Sequence, residues 1–207
     1  GNYSRWMAVP CLHHVGARIV GLVEPDVSKR ESFTAIHDVR FAVSDLVDLD
    51  DADLDGLDAV VACATPAVHA DVIRWAKLRS VPALVEKPPA RSAQECYDLW
   101  DERDQIAVGL MKRFATGYRI AKAEVVAPVA LKYRFNAGDI PGKEGKFLDD
   151  FAIHAFDLAA WMLDGNLEVV AVHKHQKVEG AVVFGRVGQT AVYLEILACS
   201  GWAAPGE

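Results

Sequence analysis

The sequence has few cysteines, no clustered basic residues, no long apolar run and no internal repeat. Each absence removes a class of protein. Its four cysteines (Cys11, Cys63, Cys96 and Cys199) lie far apart with no C-x-x-C pair. That spacing gives neither a disulfide framework nor a zinc site, and predicts small core residues in a reducing, cytoplasmic compartment. No apolar stretch approaches the roughly 20 residues that span a bilayer, and no signal-peptide pattern opens the chain. Formal net charge is −7, from 22 Lys and Arg against 29 Asp and Glu. Without a basic patch, nucleic acid and anionic membrane are not expected partners. The lack of repeats excludes a solenoid or propeller.

What remains is an ordinary soluble composition, with 52% of residues apolar and 25% charged. A chain of 207 residues can bury one good core or two small ones sharing an interface. The acids are unevenly spread: Asp45, Asp48, Asp50, Asp51, Asp53, Asp55 and Asp58 crowd one segment. Carboxylates suit hard cations, but this spacing fits no calcium loop, and Leu46, Val47, Leu49, Leu54 and Leu57 interleave them. A solvated, turn-rich connection is the expectation.

The run Ala83-Leu84-Val85-Glu86-Lys87-Pro88-Pro89 organises the first half. Its apolar residues predict a buried parallel strand that the two prolines cannot continue. Glu86 and Lys87 therefore fall at the carboxyl end of a central strand, where open α/β sheets hold ligands. A lysine there can stabilise negative charge developing on a substrate oxygen; the competing reading is a surface lysine just past a strand. Around it, strands expected over 17–23, 39–43, 59–63 and 106–110 alternate with helices over 27–36, 66–78 and one opening at Ser92. Thr65 reads as an N-cap followed by Pro66, and Ser92 to Glu95 as a capping box. Before them, Trp6 to Leu12 reads as a helix that Pro10 kinks. The alternation predicts a Rossmann-like, doubly wound parallel sheet.

The pattern changes after Phe114. A helix over 117–125 leads to strands over 129–135, 167–173, 181–187 and 190–197, with one more helix between the first two strands. This is an α+β open-sheet domain, so the expected boundary separates residues 1–114 from 115–207. In the intervening helix, Asp150, His154 and Asp157 recur at i, i+4 and i+7 on one face. Ionisable groups lining a largely apolar helix are costly unless they pair or work. His154 can take a proton from an alcohol, with a carboxylate one turn away to orient it. A cap cluster at the helix start, or a two-carboxylate, one-histidine metal triad, would use the same residues; nothing else in the sequence favours the metal.

Four motifs now stand in order: Thr65-Pro66 to His69; Val85-Glu86-Lys87-Pro88; Val108-Gly109-Leu110-Met111-Lys112-Arg113-Phe114; and Asp150-x-x-x-His154-x-x-Asp157-Leu158. Together they resemble the Gfo/Idh/MocA oxidoreductases, mostly NAD(P)-dependent sugar and cyclitol dehydrogenases with a Rossmann domain before an open-sheet domain. The resemblance implies that Lys87 sits against the substrate hydroxyl, that His154 is the acid/base and that Asp150 supports it or binds substrate. Lys112, Arg113 and Asp157 would join them around the substrate, beside a loop over 136–146, and the basic pair points to a polar or acidic substrate. For the cofactor, it implies Gly1, Asn2, Tyr3, Glu24, Thr65, Pro66, His69 and Glu86, with no metal. Glu24 would accept hydrogen bonds from ribose hydroxyls and repel a 2′-phosphate, favouring NAD over NADP, although Lys29 or Arg30 could offset that charge. The family's first strand and full glycine fingerprint are absent, Gly1-x-x-Ser4 resembling only the fingerprint's tail, so the chain is expected to be trimmed at both ends.

The resemblance, with the chemistry of Lys87 and His154, implies an oxidoreductase acting on a secondary alcohol of a sugar, cyclitol or similar polyol, and a homo-oligomer paired through the second domain's sheet. Two rivals share the fold: a dinucleotide- or sugar-sensing regulator, expected to lose Lys87 or His154, and an NAD-dependent glycosidase-type enzyme, which could use both.

Overall fold

The computed structural model describes residues 4–138, 147–176 and 179–199, without side chains at 100, 102, 137–138, 147–150 and 199. It divides into two compact units, Gly1–Gly109 and Leu110–Glu207. The division falls earlier than the expected boundary after residue 114. The helical turn Met111–Phe114 belongs to the second unit because Arg113 bonds to a helix there.

The first unit opens with a π-helical turn, Ser4–Ala8, running into α1 (Val9–His14). Pro10 lies just past the junction, where the backbone stays helical through Ala8 (φ −65°, ψ −50°) and the winding changes from π to α. Then β1 (Gly21–Val23), α2 (Val27–Thr34) and β2 (Phe41–Val43) make a parallel pair. After α3 (Asp51–Leu54) come β3 (Val60–Ala62), α4 (Pro66–Leu78), β4 (Ala83–Val85), α5 (Ala93–Asp98) and β5 (Ile106–Val108). Strands β3, β4 and β5 are parallel neighbours in that order. This is the Rossmann-like parallel arrangement expected, though its strands are shorter than the apolar runs. Among the described residues no ladder joins the β1–β2 pair to the other three strands.

The acid-rich connection is explained by caps. Asp45 and Asp48 exchange bonds as a capping box around the turn Leu46–Asp48, and Asp50 and Asp53 do so around α3. Each carboxylate satisfies backbone N–H groups that a helix start leaves unpaired. The leucines between them pack on the core. Among the described residues, no three His, Cys, Asp or Glu side chains are grouped to hold a metal.

The core of the first unit lies between α4 and the β3–β5 strands. Ala70, Val72, Ile73, Trp75 and Ala76 of α4 meet Ala62, Ala83 and Val85. Burying a side chain the size of Ile73 contributes roughly 1.5–3 kcal/mol. On α5, Ser92 Oγ accepts from the Glu95 N–H as expected (3.2 Å). The other half of that box is not made: Glu95 turns to Arg91, accepting from its backbone N–H (2.8 Å) and Nη2 (2.7 Å). Those bonds hold the Glu95 carboxyl at about 2, below its ordinary 4.5. A depressed carboxyl contributes stability that is full above its unfolded value and is lost as pH falls through the folded one. The urea midpoint of the wild-type protein should therefore exceed that of Glu95→Gln above about pH 4.5, and the gap should close toward about pH 2. A gap independent of pH would show that the ion pair does not matter.

In the second unit, α6 (Thr116–Glu124) precedes β6 (Ala130–Gly138), α7 (Phe147–Met162), β7 (Glu168–Lys174), β8 (Gly180–Val187) and β9 (Thr190–Cys199). The sheet order is β6-β9-β8-β7, with β6 parallel to β9 and the other pairs antiparallel. Buried and exposed residues alternate along β8 and β9, as one covered face requires. Val183, Val192, Leu194, Ile196 and Ala198 form that face. Helix α7 covers it with Ala152, Ala155 and Ala159, whose small side chains let the helix lie close.

Candidate functional site

The first unit gathers its expected site residues at the carboxyl ends of its parallel strands. Glu24 follows β1; its backbone N–H donates to Val43 (3.0 Å), and Oε1 accepts from the Asp26 N–H (3.2 Å). Of the two cations that could offset it, Arg30 donates from Nη1 to the carbonyls of Glu24 (2.6 Å) and Pro25 (3.0 Å). Lys29 pairs with Asp26 at 3.2 Å. Both positive charges are thus engaged on neighbours at the start of α2.

Thr65 takes the N-cap position of α4 in extended conformation, with Pro66 as first helical residue. Its hydroxyl makes no capping bond, contrary to expectation. The first-turn N–H groups of a helix of this length form a dipole end suited to an anion. After β4, the Glu86 N–H continues the ladder to the Ala62 carbonyl (2.9 Å). The Glu86 carboxylate turns back to accept from the N–H of Lys87 (3.3 Å). It lies against Gly109 at the end of β5, where an added Cβ would fall 2.7 Å from Oε1. Glycine lets backbone and carboxylate lie together there, where a side chain would push the end of Glu86 aside. Sequence reading missed this function of Gly109, although a glycine ending an apolar strand is its signal. Lys87 itself is half-buried in the loop that follows. Burial, with Glu86 adding to it, pushes the nearby Cys63 thiol up, away from a nucleophilic thiolate.

His69 is fully buried. Its Nε2 accepts from the Ala64 N–H (3.1 Å), and Nδ1 lies 2.8 Å from the Pro88 carbonyl. Gly1, Asn2 and Tyr3 lie outside the described residues.

In the second unit, His154 is buried on α7, 7% exposed. The backbone of Asp150 is one turn earlier in the helix, but its side chain lies outside the described residues, as does 139–146 of the expected loop. Asp157 is one turn later and is engaged by Arg113, whose Nε donates to Oδ2 at 2.8 Å and whose Nη2 donates to Oδ1. The Asp157 side chain is only 7% exposed, so the fork closes over it and raises the arginine still further. Arg113 and Asp157, expected around a substrate, are held on each other. Lys112 lies over the Phe135 ring, 5.4 Å from its centroid. The basic pair read as a sign of an acidic substrate therefore has local partners.

Two further contacts tie α6 into the second unit, and neither was legible in the sequence. Lys122 of α6 donates to the Trp161 carbonyl and to Asp164, and its ammonium sits 4.7 Å from the Trp161 ring centroid. The hydroxyls of Tyr118 and Tyr133 meet at 3.1 Å. Burial, reinforced by that bond, pushes the Tyr133 phenol up.

The donor set at the strand ends suits a dinucleotide: a carboxylate after β1 for ribose hydroxyls, and an uncapped helix start for a phosphate. A family model described as an oxidoreductase family with an NAD-binding Rossmann fold matches residues 1–112. An inositol 2-dehydrogenase of Leifsonia xyli is 28% identical over 76% of this chain and 49% of its own length. One from Arthrobacter is 29% identical over 69% and 45%, respectively. The chain thus spans about half the length of these relatives. Among solved structures, a dehydrogenase from Clostridium difficile superposes with a TM-score of 0.80 at 17% identity, covering 97% of this chain and 68% of that one. At such identity the superposition speaks for the fold.

Proposed function

The chain belongs to the Gfo/Idh/MocA oxidoreductase family, and from that premise we propose that it transfers hydride between NAD and a secondary alcohol of a cyclitol or related polyol. The observation that carries the reading is the joint retention of Lys87, in the loop after β4, and His154, buried on α7. A regulator that had kept only the fold would have no use for both. The names of the relatives, inositol 2-dehydrogenases, support a cyclitol as the first substrate to try.

Glu24 would accept the ribose hydroxyls, and the α4 start at Thr65 and Pro66 would face a phosphate. With the Arg30 guanidinium turned to backbone carbonyls and Lys29 paired with Asp26, the Glu24 carboxylate would be the group that meets an added 2′-phosphate, which supports NAD over NADP. When bound, the nicotinamide supplies or accepts the hydride. The protein's part is proton and charge management. The Lys87 ammonium would stabilise the alkoxide as it forms, and Glu86, which accepts from the Lys87 N–H, would hold the backbone that carries that lysine. His154 would take the hydroxyl proton during oxidation and return it during reduction. Asp150 would orient His154. Arg113 and Asp157 would hold α7 in place and leave substrate contact to other groups.

We also propose pairing of copies through the sheet face turned away from α7. Val182, Phe184, Tyr193 and Leu197 point there, with Phe184 41% exposed. Light scattering reads the resulting mass directly. The activity itself is tested by supplying NAD with myo-inositol, other cyclitols and common aldoses, and following the reduced cofactor's absorbance. Polyol-dependent reduction supports the reading; no turnover across the panel, by protein that binds NADH, would favour the sensor alternative.

A further inference from the structure

We propose that His69 is a positioning residue that ties the segment after β3 to the loop carrying Lys87, and does not touch the cofactor. This revises its expected place among cofactor-binding residues, and it rests on the reading of Lys87 above. The Ala64 amide can only donate, so Nε2 must be the accepting nitrogen and the ring hydrogen must sit on Nδ1. Nδ1–H therefore donates to the Pro88 carbonyl. Both ring nitrogens are used, and the ring is 0% exposed, which leaves nothing to offer a ligand.

The tie lies where the backbone can no longer make one. Strands β3 and β4 run in register to Ala62 and Val85, and the Glu86 N–H adds one more bond to the Ala62 carbonyl. Beyond Lys87 stand Pro88 and Pro89, which have no N–H to donate. Ala64 immediately precedes Thr65, and Pro88 immediately follows Lys87. One imidazole thus replaces the missing ladder bonds and sets the spacing between the two loop ends. Only the neutral Nδ1–H form does so. A protonated ring has no acceptor for Ala64, and an apolar side chain leaves a buried donor and acceptor unpaired.

The test compares wild type with His69→Gln, whose amide offers one acceptor and one donor, and His69→Leu, which offers neither. In the wild type, ¹⁵N spectra of the ring should show the Nδ1–H tautomer, and the Ala64 amide should be protected from exchange. His69→Leu should melt cooperatively yet lose Ala64 protection. With NAD and myo-inositol its kcat should fall about 10²-fold, the cost of a misplaced group near the chemistry. Its KM for NAD should change less than about threefold, because only ground-state binding of cofactor is then at issue. His69→Gln should regain Ala64 protection and most of kcat. An Nε2–H tautomer, or a His69→Leu protein less stable but with kcat unchanged, would overturn the proposal. If His69→Leu does not fold, loss of kcat in a folded His69→Gln that retains Ala64 protection would overturn it equally. If the wild type oxidises no polyol, the dehydrogenase reading fails by itself; the tautomer and the Ala64 exchange then decide the tie.

Discussion

Replacing Lys87 with methionine should lower kcat for polyol oxidation by about 10³-fold, the scale of removing a charged group from a developing oxyanion. Methionine keeps the unbranched stem and removes only the ammonium, so the loop after β4 should keep its backbone. The Lys87 N–H that fixes the Glu86 carboxylate belongs to the main chain and survives the change. NADH affinity should stay within about threefold, since an interaction made mainly in the transition state lowers kcat and leaves ground-state binding alone. Steady-state rates and a fluorescence titration of NADH separate the two quantities. Equal losses in affinity and rate would move Lys87 from the chemistry to cofactor binding.

His154→Asn should cost about 10²- to 10⁴-fold in kcat, the range of a general base. Asparagine keeps a polar group in a site only 7% exposed, which limits damage to the α7 packing around Ala155 and Leu158. The distinguishing readout is the pH–rate profile. A histidine base gives a limb that rises as the imidazole loses its proton, and the variant should lack that limb. A variant that keeps the limb, however slow, would assign the proton transfer to another group. Arg113→Ala is the useful contrast. It strips a buried carboxylate of its bidentate partner, so its loss should appear first in the thermal midpoint.

The strands and helices were legible because their signals are local. Three or more β-branched or apolar residues ending in Gly or an acid mark β1, β4 and β5, a run ending in Thr-Pro marks β3, and alternation marks β8 and β9. Residues beside those ends, Glu24 and Lys87, could be placed for the same reason. Pairing between distant residues could not. Arg113 and Asp157 lie on different elements, so a stripe of ionisable groups on α7 looked available for substrate when one of them was already held. The Glu95 carboxylate shows the same limit at short range, where a helix-start pattern predicted one partner and Arg91 supplied a better one. His69 was the hardest. A histidine one turn into a helix after Thr-Pro looks like a ligand, and only its bonds to Ala64 and Pro88 show both nitrogens committed to backbone.

The account stands on the strand ends of the first unit holding a nicotinamide dinucleotide, and titration of NADH and NADPH into the protein, side by side, tests that most directly. Saturable NADH binding, with NADPH weaker by about tenfold or more because Glu24 meets the added phosphate, is the predicted result. Binding of neither would contradict the account at its base. Equal binding of both would contradict the role given to Glu24.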